Sequence, residues 1–465
     1  MMKKLALAGV VAAMLPALSL PAQAEDTVYG NFPVTLKSWF GTENNSVSYT
    51  GQKARHVLHD SLKKLAGEGN GAANAPLEAE MKLYFSGKGK DRLIIAPVSK
   101  GSFVVKQTTV GEISNPNLSG KTYKGAVAGM PNSMTGPELV NFWIGKASSA
   151  NSGVDMANGY NYPQLISKFI LGAVFYHQAV DNYLDEKLTA NKKPNDKPYK
   201  TGKHYTGKEH SWDEAFGYFG MPAHGLNLSA TQLYEIAKRK PAGAINADFD
   251  ADGKVDLYDE MVFGPAYYAA GSDKSNKTAY AATITKAFLD GRKLITSAGG
   301  NPLTDAQRSK LMAYARVIET NWEKTLAEAA FKYAGSVFKD LKAVKADPSN
   351  TDAIKKYIKH WGELKGFSLA LQTGRVNLGE TATRLNRLIG FGPVMANSSQ
   401  VTDIDSKGNY VKSQSSGISE YMVHMLKVQK LIVEKFGVKA RKNDQLSGMG
   451  EMLKKLGTGS SAEND

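Results

Sequence analysis

Between Asp248 and Glu260 the chain reads DFDADGKVDLYDE. Asp248, Asp250 and Asp252 fall at positions 1, 3 and 5 of this stretch, Gly253 at 6, Asp256 at 9 and Asp259 at 12. Calcium is a hard cation that takes six to eight oxygens at roughly 2.3–2.6 Å, and an EF-hand-type loop supplies them at this spacing. Gly253 suits the sharp turn, Lys254 at 7 offers its backbone carbonyl, and Val255 at 8 is an apolar anchor. Carboxylates crowded this closely repel one another unless a cation sits among them. The expectation is therefore one calcium loop, Asp248–Asp259, with Asp248, Asp250, Asp252, Lys254, Asp256 and Asp259 as ligands. Position 12 departs from the usual bidentate Glu. Either the shorter Asp259 closes the site or Glu260 reaches the ion in its place. The bland alternative is an acidic turn with no ion. Asp403–Gly408 carries a partial echo, but Lys407 at position 5 and Gln414 at position 12 rule it out as a site.

A second kind of chemistry lies in two helical segments. EHSWDEAFGYFG, Glu209 to Gly220, sets His210 and Glu214 one turn apart with Asp213 beside them. KHWGELKGF, Lys359 to Phe367, sets His360 and Glu363 on one face. Both contain Glu-x-x-Gly-aromatic, an internal echo. Imidazole with carboxylate suits iron, zinc or manganese, so His210, Asp213, Glu214, His360 and Glu363 are candidate ligands of a second metal shared between two helices. The competing reading has each His and Glu paired inside the core, with Gly217 and Gly366 allowing close helix packing. No nucleophile elbow and no His-Glu-x-x-His zinc helix occurs.

These residues need helices to hold them. Gln52–Leu65, Gly136–Lys146, Tyr162–Leu184, His210–Gly220 and Ser229–Arg239 carry helical apolar spacing. So do Thr278–Ile295, Thr304–Val344, Thr351–Gln372, Glu380–Leu388 and Ser419–Phe436. Thr304 and Gln307 form a capping-box pattern. Arg92–Val98 and Ser102–Gln107 are β-like and suggest a small ribbon. The fold class expected is mainly α: a helical-bundle domain over 25–445, with a small β-ribbon and one EF-hand-type calcium loop. A division into two bundles near 270–300 is the alternative, and 446–465 reads as a polar, flexible tail.

The 465 residues include no cysteine, which excludes disulfides, thiolate metal sites and covalent c-type haem. Met1–Ala24 has Lys3 and Lys4, an apolar run and an Ala-Gln-Ala end, the pattern of a signal peptide. Export to the periplasm of a Gram-negative bacterium is expected, with no membrane-spanning segment. The formal net charge is +14, but the lysines are scattered and the densest group, between Leu184 and His210, reads as a solvated loop. Nucleic acid is not an expected partner of an exported chain.

Thr50–Leu62 (TGQKARHVLHDSL), Ile166–Leu184 (ISKFILGAVFYHQAVDNYL), Glu209–Gly220 and His360–Leu371 (HWGELKGFSLAL) resemble an uncharacterised bacterial family of exported proteins and lipoproteins, a domain-of-unknown-function group, over nearly all the mature chain. That group is distantly similar to imelysin-like proteins, helical periplasmic proteins tied to iron or haem acquisition. The imelysin motif Gly-x-His-x-x-Glu meets Lys208, His210 and Asp213 here, with Glu214 one position late. The resemblance implies an imelysin-like bundle and a periplasmic, non-enzymatic binding protein for iron, haem or another transition metal such as zinc. A TonB-dependent outer-membrane receptor or an imelysin-like protein is the implied partner. Two alternatives stay open: a metal-dependent hydrolase or peptidase, and a calcium-stabilised interaction module for an outer-membrane receptor.

Overall fold

Local capping chemistry and apolar spacing together set where the helices run in the computed structural model, which describes residues 27–456. The expected signal peptide and the last residues of the expected tail lie outside that range. The first helices are α1 (Thr50–Leu65), α2 (Ala75–Phe85), α3 (Gly136–Ser149) and α4 (Tyr162–Ile170). α4 continues through two wider π-helical stretches, Leu171–Tyr176 and Gln178–Tyr183. Then come α5 (Gly207–Phe219), α6 (Ala230–Ala237), α7 (Pro241–Ala247), α8 (Gly264–Asp273) and α9 (Tyr280–Ser297). The series ends with α10 (Asp305–Ala346), α11 (Thr351–Ala370), α12 (Glu380–Ile389), α13 (Ile418–Phe436) and α14 (Met449–Leu456).

Every helix expected from apolar spacing is present, with ends shifted by a few residues. Thr304 caps α10 as expected, its hydroxyl accepting from the Gln307 amide while the Gln307 side chain returns to Thr304. Four helices were not expected. α2 buries Leu77, Met81, Tyr84 and Phe85 on one face behind the Asn74 cap, so its signal was present. α7 is a single short turn series, and α8 (GPAYYAAGSD) is too rich in Ala and Gly to show an apolar stripe. α14 occupies part of the stretch read as a tail.

The expected ribbon is corrected. Residues 92–98 and 102–107 do not form a strand pair; Leu93 bridges to Thr109, and Val105 bridges to Val255 of the acidic loop. The two ribbons lie elsewhere: β1 (Val154–Asp155) with β2 (Tyr160–Asn161), and β3 (Ser399–Ile404) with β4 (Tyr410–Gln414), both antiparallel. The Asp403–Gly408 echo is the turn joining β3 to β4, where Asp405 accepts from the Lys407 and Asn409 amides.

α10 packs against α8, α9, α11 and α13, and α11 against α4, while α5 packs on α1, α8, α9 and the π-helical end of α4. One contiguous set of buried side chains runs from Tyr29 to Val438. It passes through 270–300, where α8 and α9 contact both α5 and α10. Among the described residues no helix is long and apolar enough to cross a membrane.

Two glycines permit close helix contacts at the repeated segments. A Cβ on Gly217 would lie 2.8 Å from the Cβ atoms of Gln52 and Tyr49, and one on Gly366 would lie 2.6 Å from the Cβ of Lys168. Both belong to the repeated Glu-x-x-Gly-aromatic segments, and in both the glycine brings a carboxylate-bearing helix onto its neighbour.

Candidate metal centre

The acidic loop connects α7 to α8. Gly253 has φ +82°, the left-handed turn that only glycine takes without strain. Val255 is buried, its amide donating to the Val104 carbonyl at 2.7 Å and its carbonyl accepting from the Lys106 amide at 3.0 Å. That pairing fixes the middle of the loop against residues 104–106.

Around this pin the carboxylates divide into two groups. Asp248, Asp250 and Glu260 each offer an oxygen within 4.8 Å of the others, and among the described residues this is the one His/Cys/Asp/Glu group that close. Asp248 Oδ2 accepts from the Gly253 amide at 3.0 Å, whereas its Oδ1 is buried with no hydrogen-bond partner. Glu260 is buried, and its Oε1 accepts from the amides of Phe249 (2.7 Å) and Asp250 (3.2 Å). Its Oε2 accepts from the Asp256 amide at 2.7 Å. Burial raises the Glu260 pKa, and these backbone donors oppose the rise.

Asp252 and Asp256 form the second group. The Lys106 ammonium lies 3.2 Å from Asp252 and 3.6 Å from Asp256. Asp252 also accepts from the Lys254 amide, and Asp256 from the Gln107 side chain and the Tyr258 amide. Lys254 itself is exposed at the tip. Asp259, the expected position-12 ligand, is outside the Asp248–Asp250–Glu260 group. Burial pushes its carboxyl up to about 6, with Asp256 and Asp250 adding to the rise and Lys53 opposing it. Of the two position-12 possibilities, the structure turns Glu260 and not Asp259 toward Asp248. All the facing donors are carboxylate oxygens, a set that suits calcium or another hard divalent cation and not a soft metal.

Of the five residues expected to share a second metal, four are divided between two cavities and Asp213 lines neither. His210 and Glu214 line one of 610 Å³ beside Gln52, Arg55 and Lys121. His210 Nε2 is 3.8 Å from Glu214 Oε1, and that oxygen accepts from the Gln52 side chain at 2.8 Å. The lysine-rich segment before α5 brings Tyr205 flat onto the His210 ring and Tyr199 edge-on. Burial pushes His210 down to about 4, against the pull of Glu214.

Asp213 points away from this cavity. It is fully buried and accepts from Arg292 Nε (2.9 Å), the Tyr29 hydroxyl (2.8 Å) and the Ser48 amide (3.2 Å). Arg292 also reaches Glu209 at 3.3 Å, Ser46 Oγ at 2.6 Å and the face of Phe32. Burial raises Asp213 to about 6 even beside this guanidinium. His360 and Glu363 line the other cavity. His360 Nδ1 is 2.5 Å from Asp340, and Glu363 is 3.9 Å from the Lys168 ammonium.

Sequence reasoning missed Arg292, Lys106 and Lys168. Arg292 interrupts the buried face of α9 defined by Ile284, Phe288 and Ile295. Lys168 sits among Leu165, Ile166, Phe169 and Ile170. A charge inside an apolar stripe must be paired or face a polar cavity, so both positions carried a usable signal. Lys106 carried none, because its pairing depends on the distant loop.

No curated protein and no solved structure matches the chain. Residues 144–309 match the family model described as Domain of unknown function (DUF4856). The matched stretch includes α5 and the acidic loop but not Thr50–Leu62 or His360–Leu371, so it is narrower than the resemblance drawn from the sequence. The chain contains a DUF4856 domain over residues 144–309, within a mainly helical fold in which Asp248, Asp250 and Glu260 lie close enough together that they could hold a metal ion.

Proposed function

We propose that this chain is an exported, non-enzymatic calcium-binding protein, a helical bundle whose Asp248–Glu260 loop is closed by one Ca2+. The observation that carries the reading is Asp248 Oδ1, a buried carboxylate oxygen without a hydrogen-bond partner, grouped with Asp250 and Glu260. Three carboxylates within 4.8 Å of one another destabilise the loop unless a cation offsets their repulsion. The turn at Gly253 and the Val255 pairing support the same reading, since both hold the loop in shape before any ion arrives. The role is structural. Calcium would clamp the α7–α8 connection and, through Val255, residues 104–106, adding stability in proportion to its occupancy. Export rests on the Met1–Ala24 pattern.

A transition-metal or hydrolytic role at His210 and Glu214 draws less support. Among the described residues the pair has no third ligand, and Arg55, Lys88, Lys121 and Lys203 line the same cavity. Four cationic side chains oppose the entry of a further cation. Iron, zinc or haem uptake, with a TonB-dependent receptor or imelysin-like partner, is therefore not part of this reading.

The test is thermal unfolding of chelator-treated full-length protein with and without added Ca2+. Wild type should melt at higher temperature with Ca2+, and Asp248→Asn should lose most of that shift. Equal shifts in both proteins would remove the loop from the account.

A further inference from the structure

A cavity of 670 Å³ opens between α1, α4, α8, α10 and α11, next to the segment that follows the acidic loop. Its walls carry Lys63 and Lys64 from α1, Lys168 from α4, Lys332 from α10 and Lys359 from α11, with Lys238 and Arg239 at the end of α6. Against these cations stand two carboxylates, Asp60 and Glu363.

Lys168 is the unusual member. It is 3% exposed, yet its nearest carboxylate oxygen, Glu363 Oε1, lies 3.9 Å away, beyond hydrogen-bond reach. Gly366 makes room for its stem, and its ammonium sits 5.6 Å from the centre of the Tyr268 ring. Burial lowers its pKa well below the usual lysine range, and the neighbouring Lys63 lowers it further. Two neighbouring like charges on the wall of a cavity, one of them buried, are costly unless an anion lies with them. The rim is fixed as well: Arg239 takes a left-handed φ of +49° and its guanidinium donates to the Val98 carbonyl at 2.6 Å.

We propose that this cavity binds a small phosphorylated molecule, with the phosphate held between Lys63 and Lys168 and the rest of the ligand against Tyr267 and Tyr268. The volume lies within the range of small-molecule sites, about 300–1,000 Å³. Lysines serve phosphate as compact point charges. A doubly charged anion offsets both ammonium groups, where a single carboxylate offsets one. The site shares no residue with the calcium cluster, so each can fail without the other.

Calorimetric titration of full-length protein with pyrophosphate, with citrate as a non-phosphate polyanion, tests the assignment. Wild type should bind pyrophosphate saturably, and citrate at least tenfold more weakly. Lys168→Met and Lys63→Gln should each weaken pyrophosphate binding at least tenfold, while Lys286→Gln, on the exposed face of α9, should leave it unchanged. If Lys168→Met does not fold, Lys63→Gln, at a half-buried position, carries the test alone. No saturable binding by wild type, or unchanged binding by Lys63→Gln, overturns the site. Citrate binding as tight as pyrophosphate overturns the phosphate assignment.

Discussion

The acidic loop and helix α5 both pack several carboxylates into a short stretch, and the fold uses them in opposite ways. In α5 most of the carboxylate oxygens are answered from elsewhere in the chain, and Glu214 Oε2 alone among them is buried without a hydrogen-bond partner. Arg292 takes Glu209 and Asp213, and Gln52 takes one oxygen of Glu214. In the loop, Asp248, Asp250 and Glu260 face one another with backbone amides as their main donors, while the Lys106 ammonium pairs with Asp252 and Asp256. The difference teaches that acidic density alone does not mark a metal site. A candidate also needs facing carboxylates that form no ion pair with a protein cation.

That contrast breaks most visibly at Arg292. Arg292→Met leaves Glu209 and Asp213 buried beside each other without a counter-charge, and should cost about 3–5 kcal/mol in urea unfolding. A loss under ~1 kcal/mol would mean that α5 does not depend on this pairing.

The loop should respond to calcium where α5 does not. At a free Ca2+ about 100 times the dissociation constant, the ion should add ~2.7 kcal/mol to wild type. Glu260→Gln should abolish most of that gain, and Asp259→Asn should remove much less, because Asp259 lies outside the facing group. The reverse order, read from calcium-dependent melting, would return position 12 to Asp259.

His210 sharpens the α5 side. Burial lowers its pKa from 6.5 to about 4. Between those values the unfolded chain binds a proton that the folded chain refuses, so stability rises with pH through that window and is flat above it. Acidification from pH 7 to 4 should cost on the order of 2 kcal/mol through this group. His210→Gln should flatten that part of the stability profile. An unchanged profile would show that the ring titrates normally.

The smallest effect concerns Lys106. Its exposed ion pairs are worth about 0.2–1 kcal/mol. Lys106→Met should release Asp252 and Asp256 and tighten calcium binding by up to about fivefold in a calorimetric titration. Weaker binding would show that Lys106 holds the loop in its binding shape.

The turn of the loop was legible because its spacing is local: Gly253 takes the left-handed turn and Val255 is buried as the apolar anchor. The long helices were legible for the same reason, as at Thr304 and Gln307. Partner choice was not. His210 and Asp213 share one short segment, yet Asp213 turns to Arg292, 79 residues on, while His210 faces another cavity. His360 pairs with Asp340 across two helices instead of meeting His210. Helical periodicity fixes which side chains leave one face together, but the neighbouring helices decide which of them are already satisfied. The misplaced ribbon has the same cause, since residues 104–106 pair with Val255 and not with the adjacent β-like stretch.

The most direct test is calorimetric titration of Ca2+ into the chelator-treated full-length chain, beside Asp248→Asn. The account predicts a single saturable site in wild type and none in the variant. No binding by wild type, or equal binding by the variant, would contradict it.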